Sequence, residues 1–197
     1  MHCLRGKCLT IGHQAVGKTA LSNALVESRK ECPCSYRMTV VPKLSVRNIH
    51  LQDVNTDVVT QITIANRPKE FLIYDYPGSP VYHDLFDKFV DTTDVFVLIF
   101  DVSDRSSFEM CPLWIQKVKE LAKGISVPGI LIGNKTDLIS RRAVTEIEAK
   151  RFAEEAGIKY CELSVKEARN VLEPLNILAR DFYELYQGTA DRFREML

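Results

Sequence analysis

The residues best placed to do chemistry lie close to the N-terminus. Gly12-His13-Gln14-Ala15-Val16-Gly17-Lys18-Thr19 follows the pattern G-x-x-x-x-G-K-[ST]. Glycine at both ends lets the backbone curl, so that successive N–H groups face inward and hold anionic oxygens. A short apolar run, Cys8–Gly12, precedes the motif, and a stretch with helical spacing, Lys18–Ser28, follows it. The start of that helix adds positive potential at the same point. Lys18 would reach the β- and γ-phosphates of a nucleoside triphosphate, and the Thr19 hydroxyl would ligate Mg²⁺. An incidental lysine in a glycine-rich turn would not need the strand before it and the helix after it. The loop implies a triphosphate and says nothing about the base.

The elements that must position this loop come from periodicity. Lys43–Leu51, Glu70–Asp75, Val95–Val102, Val127–Gly133 and Tyr160–Leu163 read as strands beside Cys8–Gly12, the Val95 and Val127 runs buried on both faces. Phe108–Lys123, Glu146–Ala156 (ending at Gly157) and Pro174–Tyr186 read as helices. Strands alternating with helices give an α/β fold: a mostly parallel six-stranded sheet with helices on both faces. Residues 1–186 make one domain, with a polar insertion at Gln52–Gln61, and residues 187–197 continue as a helical tail.

With 197 residues, the chain has the size of one domain. Its 26 basic and 26 acidic residues cancel, so it lacks the charge signature of a nucleic-acid or anionic-membrane binder. Six cysteines in this length do not make a disulfide scaffold, and a reducing cytoplasm is expected. Cys32-Pro33-Cys34 has no second Cys/His pair at zinc-site spacing. No run approaches the length of a transmembrane helix, and no signal peptide is visible. His13, His50 and His83 read as loop or solvent histidines, and Trp114 as helix packing.

Three further motifs resemble those of Ras-like small GTPases, in the order that family has them. Asn134-Lys135-Thr136-Asp137 resembles its N-K-x-D guanine motif, in which Asp137 would accept hydrogen bonds from guanine N1–H and the exocyclic amine. Adenine offers no such donors, and the wrong base would leave a carboxylate unpaired. Ser164-Val165-Lys166 resembles the S-A-K motif, whose backbone N–H meets guanine O6. Asp75-Tyr76-Pro77-Gly78 resembles D-x-x-G, with Asp75 toward Mg²⁺ and the Gly78 N–H toward the γ-phosphate. Thr39 is the match to the Mg²⁺-binding threonine of switch I. Asp101-Val102-Ser103 with Ser107-Phe108-Glu109 is similar to the segment after the fourth strand in Rab-type members. The resemblance implies GTP and GDP as ligands, Mg²⁺ as cofactor and GTP hydrolysis as the reaction.

The departures from the family are informative. Ser79 stands where most members have the glutamine that orients the attacking water, and Pro80 follows it. Serine is too short for that task, so very slow hydrolysis is expected and no residue is assigned as catalytic. Gln14 replaces a small residue, and Tyr76-Pro77 should stiffen the start of switch II. The chain ends Arg194-Glu195-Met196-Leu197, its last cysteine is Cys161, and Met1-His2 offers no myristoylatable glycine. No lipid anchor is therefore expected. Phe182–Tyr186 should pack on the domain's own sheet, while Phe193, Met196 and Leu197 extend beyond it as a protein-binding surface. These features resemble a non-lipidated, Rab-like branch, which implies a subunit of a ciliary transport complex bound to a small β-sandwich partner.

Overall fold

The computed structural model of the chain describes residues 4–27, 38–49, 69–86 and 90–195. Cys32-Pro33-Cys34, the Gln52–Gln61 stretch, His50, Met196 and Leu197 lie outside the described residues, as do the side chains of His83 and Phe193. Among the described residues, six strands form one sheet: β1 Leu4–Gly12, β2 Lys43–Ile49, β3 Lys69–Asp75, β4 Val95–Asp101, β5 Gly129–Asn134 and β6 Lys159–Glu162. Their spatial order is β2-β3-β1-β4-β5-β6. Every neighbouring pair is parallel except β2 with β3. The helices are α1 Lys18–Glu27, α2 Arg105–Glu109, α3 Cys111–Ala122, α4 Glu146–Ala156 and α5 Glu173–Glu195, with 3₁₀ turns at Pro80–Leu85 and Ile139–Arg141.

A parallel strand covered on both sides needs apolar residues at every position. In β4, all seven are buried. Phe96, Leu98 and Phe100 join Leu9, Ile11, Trp114, Val118, Leu131 and Ala149 in the cluster that α3 and α4 cover. Val95, Val97 and Ile99 join Cys8, Leu21, Phe71, Ile130, Ile132 and Leu178 in the cluster that α1 and α5 cover. Trp114 is fully buried, as helix packing requires.

One expected helix differs from the structure. The Phe108–Lys123 stretch is divided at Met110, where α2 stops and α3 begins. Proline has no N–H and is tolerated only in a helix's first turn, so Pro112 forces a restart just ahead of it. Asp104 begins α2 by accepting the Ser106 N–H at 3.1 Å. The last helix runs on past Tyr186, as expected of a helical tail, unbroken through Gly188 to Glu195, 23 residues or about 34 Å long. Not all of Phe182–Tyr186 packs inward. Phe182 stacks near Phe71, with ring centroids 5.8 Å apart, but Leu185 is 43% and Tyr186 53% exposed.

Because four strands run parallel to β1, the loops leaving β1, β3, β4, β5 and β6 all open at one end of the sheet. That is where such sheets bind ligands. Gly12, Asp75, Asp101, Asn134 and Ser164 all lie at or just beyond those strand ends.

Candidate nucleotide-binding site

The loop from Gly12 to Gly17 turns through left-handed backbone at Ala15 (φ 61°) and Gly17 (φ 102°). A side chain at Gly17 would collide with the Asn134 amide, which donates at 2.8 Å to the Val16 carbonyl. The loop is thus braced from β5, which lies two strands from β1 in the sheet.

Lys18 is 6% exposed and lies across the loop, donating to the carbonyls of Gly12 at 2.9 Å and His13 at 2.6 Å. Burial pulls its ammonium down to about 8, with the nearby Asp75 carboxylate opposing that shift. Gly78 packs so close to Lys18 and to the loop backbone that any side chain there would displace them.

Beside the lysine, three oxygen-bearing side chains converge. Thr19 Oγ1 donates to Asp75 Oδ2 at 2.5 Å and lies 2.8 Å from Thr39 Oγ1. Burial raises the Asp75 carboxyl above the usual range, against the opposing effects of the Thr19 hydrogen bond and the Lys18 charge. Its other oxygen, Oδ1, is buried with no hydrogen-bond partner among the described residues. An orphaned carboxylate oxygen next to two hydroxyls is a donor set of the kind a hard divalent cation takes. The residues therefore fit Mg²⁺. The His13 ring, half buried, likewise leaves Nδ1 buried and unpartnered.

At the other end, the polar groups are already paired. Asn134 Oδ1 accepts the N–H of Lys135 at 2.7 Å and of Val165 at 3.3 Å. Together with the bond to Val16, this single side chain ties three motifs to one another. Asp137 Oδ1 accepts the Ser164 hydroxyl at 2.7 Å, and Lys166 Nζ lies 3.8 Å from Asp137 Oδ2. Lys135 stands in left-handed backbone (φ 67°), with its ammonium 2.6 Å from Asp101 Oδ2.

The matched motifs of the phosphate loop, Thr39, Asp75–Gly78, Asn134–Asp137 and Ser164–Lys166 thus meet at one edge of the fold. A Ras family model matches residues 7–184. The chain belongs to the Ras family. It is 35% identical to the human intraflagellar transport protein 27 homolog over 98% of both chains. To the homolog from Trypanosoma brucei brucei it is 28% identical, again over 98% of both. A Ras-related protein, Rab-13 of Mesocricetus auratus, is 28% identical over 89% of this chain and 78% of its own. Membership of the Ras family implies binding of guanine nucleotide and Mg²⁺, and GTPase activity in general.

Sequence reasoning missed the anchoring of switch II. Tyr76 is 1% exposed and turned into the core. Its ring meets Phe86 edge-on at 5.0 Å and Trp114 at 6.2 Å, and its hydroxyl donates to the Tyr82 carbonyl at 2.7 Å. Ser79 is nearly buried, and its carbonyl accepts the Tyr82 N–H at 3.0 Å. The one signal was a large aromatic directly after a strand-ending Asp. Asp101 was read only as part of a Rab-like segment, although a lone acid closing an all-apolar strand marks a group that needs a partner.

Proposed function

We propose that the chain is a Rab-like GTPase that binds GTP and GDP with Mg²⁺, hydrolyses GTP very slowly and serves as a subunit of the intraflagellar transport complex. The observation that carries the reading is the Thr19, Thr39 and Asp75 cluster beside a buried lysine, with one Asp75 oxygen left unpaired. Lys18 and the N–H groups of His13 to Thr19 hold the phosphates, and Thr19, Thr39 and Asp75 hold the metal. Gly78 leaves room for the γ-phosphate side of the loop. Asp137 reads the edge of guanine, Ser164 orients Asp137, and Asn134, Lys135, Val165 and Lys166 frame the base. Bound Mg²⁺ supplies neutralisation of the charge on the β- and γ-phosphoryl oxygens.

Ser79 lacks the reach to orient a water, so the chain supplies positioning and little more to the chemical step. Single-turnover hydrolysis with Mg²⁺ tests this: a rate like that of an ordinary Ras-type protein overturns slow hydrolysis. Ser79→Gln should accelerate it if water positioning alone is missing.

The name of the relatives described above supports a place in intraflagellar transport; we assign the chain to the cytoplasm and to the cilium or flagellum with its basal body. We assign the partner as intraflagellar transport protein 25, met by the tail from residue 187 onward through Phe193, Met196 and Leu197. Residues 1–186 form the GTPase domain. Deleting residues 188–197 should abolish partner capture and leave nucleotide affinity unchanged; loss of both counts against a separate tail surface.

A second reading, a structural subunit whose nucleotide stabilises the fold without switching, is favoured by Tyr76. A switch segment rooted in the core by a buried ring has less freedom to respond to the γ-phosphate. Partner affinity measured with GDP and with a GTP analogue separates the two, and equal affinities remove the switch for that partner.

A further inference from the structure

We propose that Asp101 is a positioning residue for nucleotide retention, acting through Lys135. The inference rests on the reading of Asn134–Asp137 as a guanine site. Asp101 closes β4 directly beside Asn134 in the β4–β5 register. Its side chain is 9% exposed, and neither oxygen is idle. Oδ1 accepts the Ser103 N–H at 2.8 Å and the Ser103 hydroxyl at 2.7 Å. Oδ2 faces the Lys135 ammonium at 2.6 Å. The Asp101 backbone is held as well, its N–H donating to the Ser107 hydroxyl at 3.0 Å and its carbonyl accepting the Asp104 N–H at 3.0 Å. The carboxylate is thus a fixed post.

Lys135 is gripped at both ends. Its backbone is left-handed, and its carbonyl accepts the Leu138 N–H at 2.9 Å, closing a turn. Its ammonium is tied to Asp101 across the strand pair. A lysine side chain loses much rotamer freedom when it must line a ligand. Here the ion pair removes that freedom before any ligand arrives, so the aliphatic stem keeps one course at the rim of the site. Asp137, which reads the base edge, is held separately by Ser164 and Lys166. Asp101 therefore governs how long the base stays and leaves base choice to Asp137.

The test measures release of fluorescent methylanthraniloyl-GDP from the full-length protein by stopped flow. Asn still accepts from Ser103, so Asp101→Asn removes the ion pair while keeping those bonds. Release should be about tenfold faster, the scale of losing one charged hydrogen bond. Lys135→Met should be faster too, and the double variant no faster than Lys135→Met alone. Lys135→Arg, which keeps a cation for Asp101, should release more slowly than Lys135→Met. The preference for GDP over inosine diphosphate should not change in Asp101→Asn. Fold-changes that multiply in the double variant, an altered GDP preference, wild-type release from Asp101→Asn, or no benefit from Lys135→Arg would each overturn the proposal while the guanine reading stands. A wild-type chain that retains no guanine nucleotide overturns the guanine reading itself, and the proposal with it.

Discussion

At the end of the site proposed to hold the base, Asn134, Asp137, Ser164 and Asp101 direct their polar atoms to the protein itself. At the phosphate end, Lys18 is buried against two carbonyls, and Asp75 carries a buried oxygen without a partner among the described residues. One end is built before a ligand arrives. The other keeps charge that only a cation and an anion would satisfy. An unsatisfied buried charge costs stability in the ligand-free chain, and a satisfied network does not. On the proposed reading, the fold therefore sets specificity in advance and leaves the energy of binding to the phosphate end.

The largest expected effect probes the prebuilt end. Asp137→Asn should lower GTP affinity by at least about 10³-fold and shift preference toward a xanthine nucleotide, because the amide presents the wrong edge to guanine. Competition binding with both nucleotides checks it, and a modest, base-independent loss would break the assignment of specificity to this end.

Next comes the unsatisfied end. GDP with Mg²⁺ at about 1,000 times Kd should add roughly 4 kcal/mol of stability, and raise Tm by roughly 8–16 °C. Asp75→Asn, which lowers the unsatisfied charge, should raise the Tm of the ligand-free chain and shrink that Mg²⁺-dependent gain. Thermal melts with and without chelator decide it; an unchanged ligand-free Tm would show that the orphaned oxygen carries no cost.

A smaller effect is expected from the support beneath switch II. Tyr76→Phe keeps the ring in the core and loses the bond to the Tyr82 carbonyl, so it should cost about 1 kcal/mol in urea unfolding. Base preference should not move.

The smallest concerns strain. Ala15 is held at φ 61°, where an L-residue pays roughly 1–2 kcal/mol, partly offset because glycine loses more entropy on folding. Ala15→Gly should gain under about 1 kcal/mol net. Lys135→Gly relieves a similar φ but loses the Asp101 pair, and should not be stabilising. Side-by-side urea curves sharpen the contrast between an end that is merely strained and one where the strain is tied to a contact.

Much of the fold was legible because its signals are local. Strand β4 is apolar at every position before its closing Asp101, as a strand buried on both faces requires. Helix α4 begins at Thr145, which accepts the Glu148 N–H at 3.3 Å, and ends at Gly157 with φ 71°. Both boundaries are written in cap residues. The break at Met110 was less legible because the helical spacing of Leu113, Val118 and Leu121 lies wholly after Pro112 and does not show where that helix starts. Leu185 and Tyr186 misled because an apolar residue on a helix is not evidence of what covers it.

The site divides in the same way. The phosphate loop is a contiguous run whose backbone chemistry asks for those residue types in that order, and Asn134–Asp137 is a contiguous run that resembles a family motif, so the amino-acid sequence alone was enough to point to both. Tertiary structure decided what meets what. Thr19 finds Thr39 across 20 positions and Asp75 across 56, and Asn134 reaches Val16 across 118. The turn of Tyr76 into the core and the grip of Asp101 on Lys135 belong to the same class. Such pairings depend on strand order and register, which bring distant residues within hydrogen-bond reach. No local pattern encodes that distance.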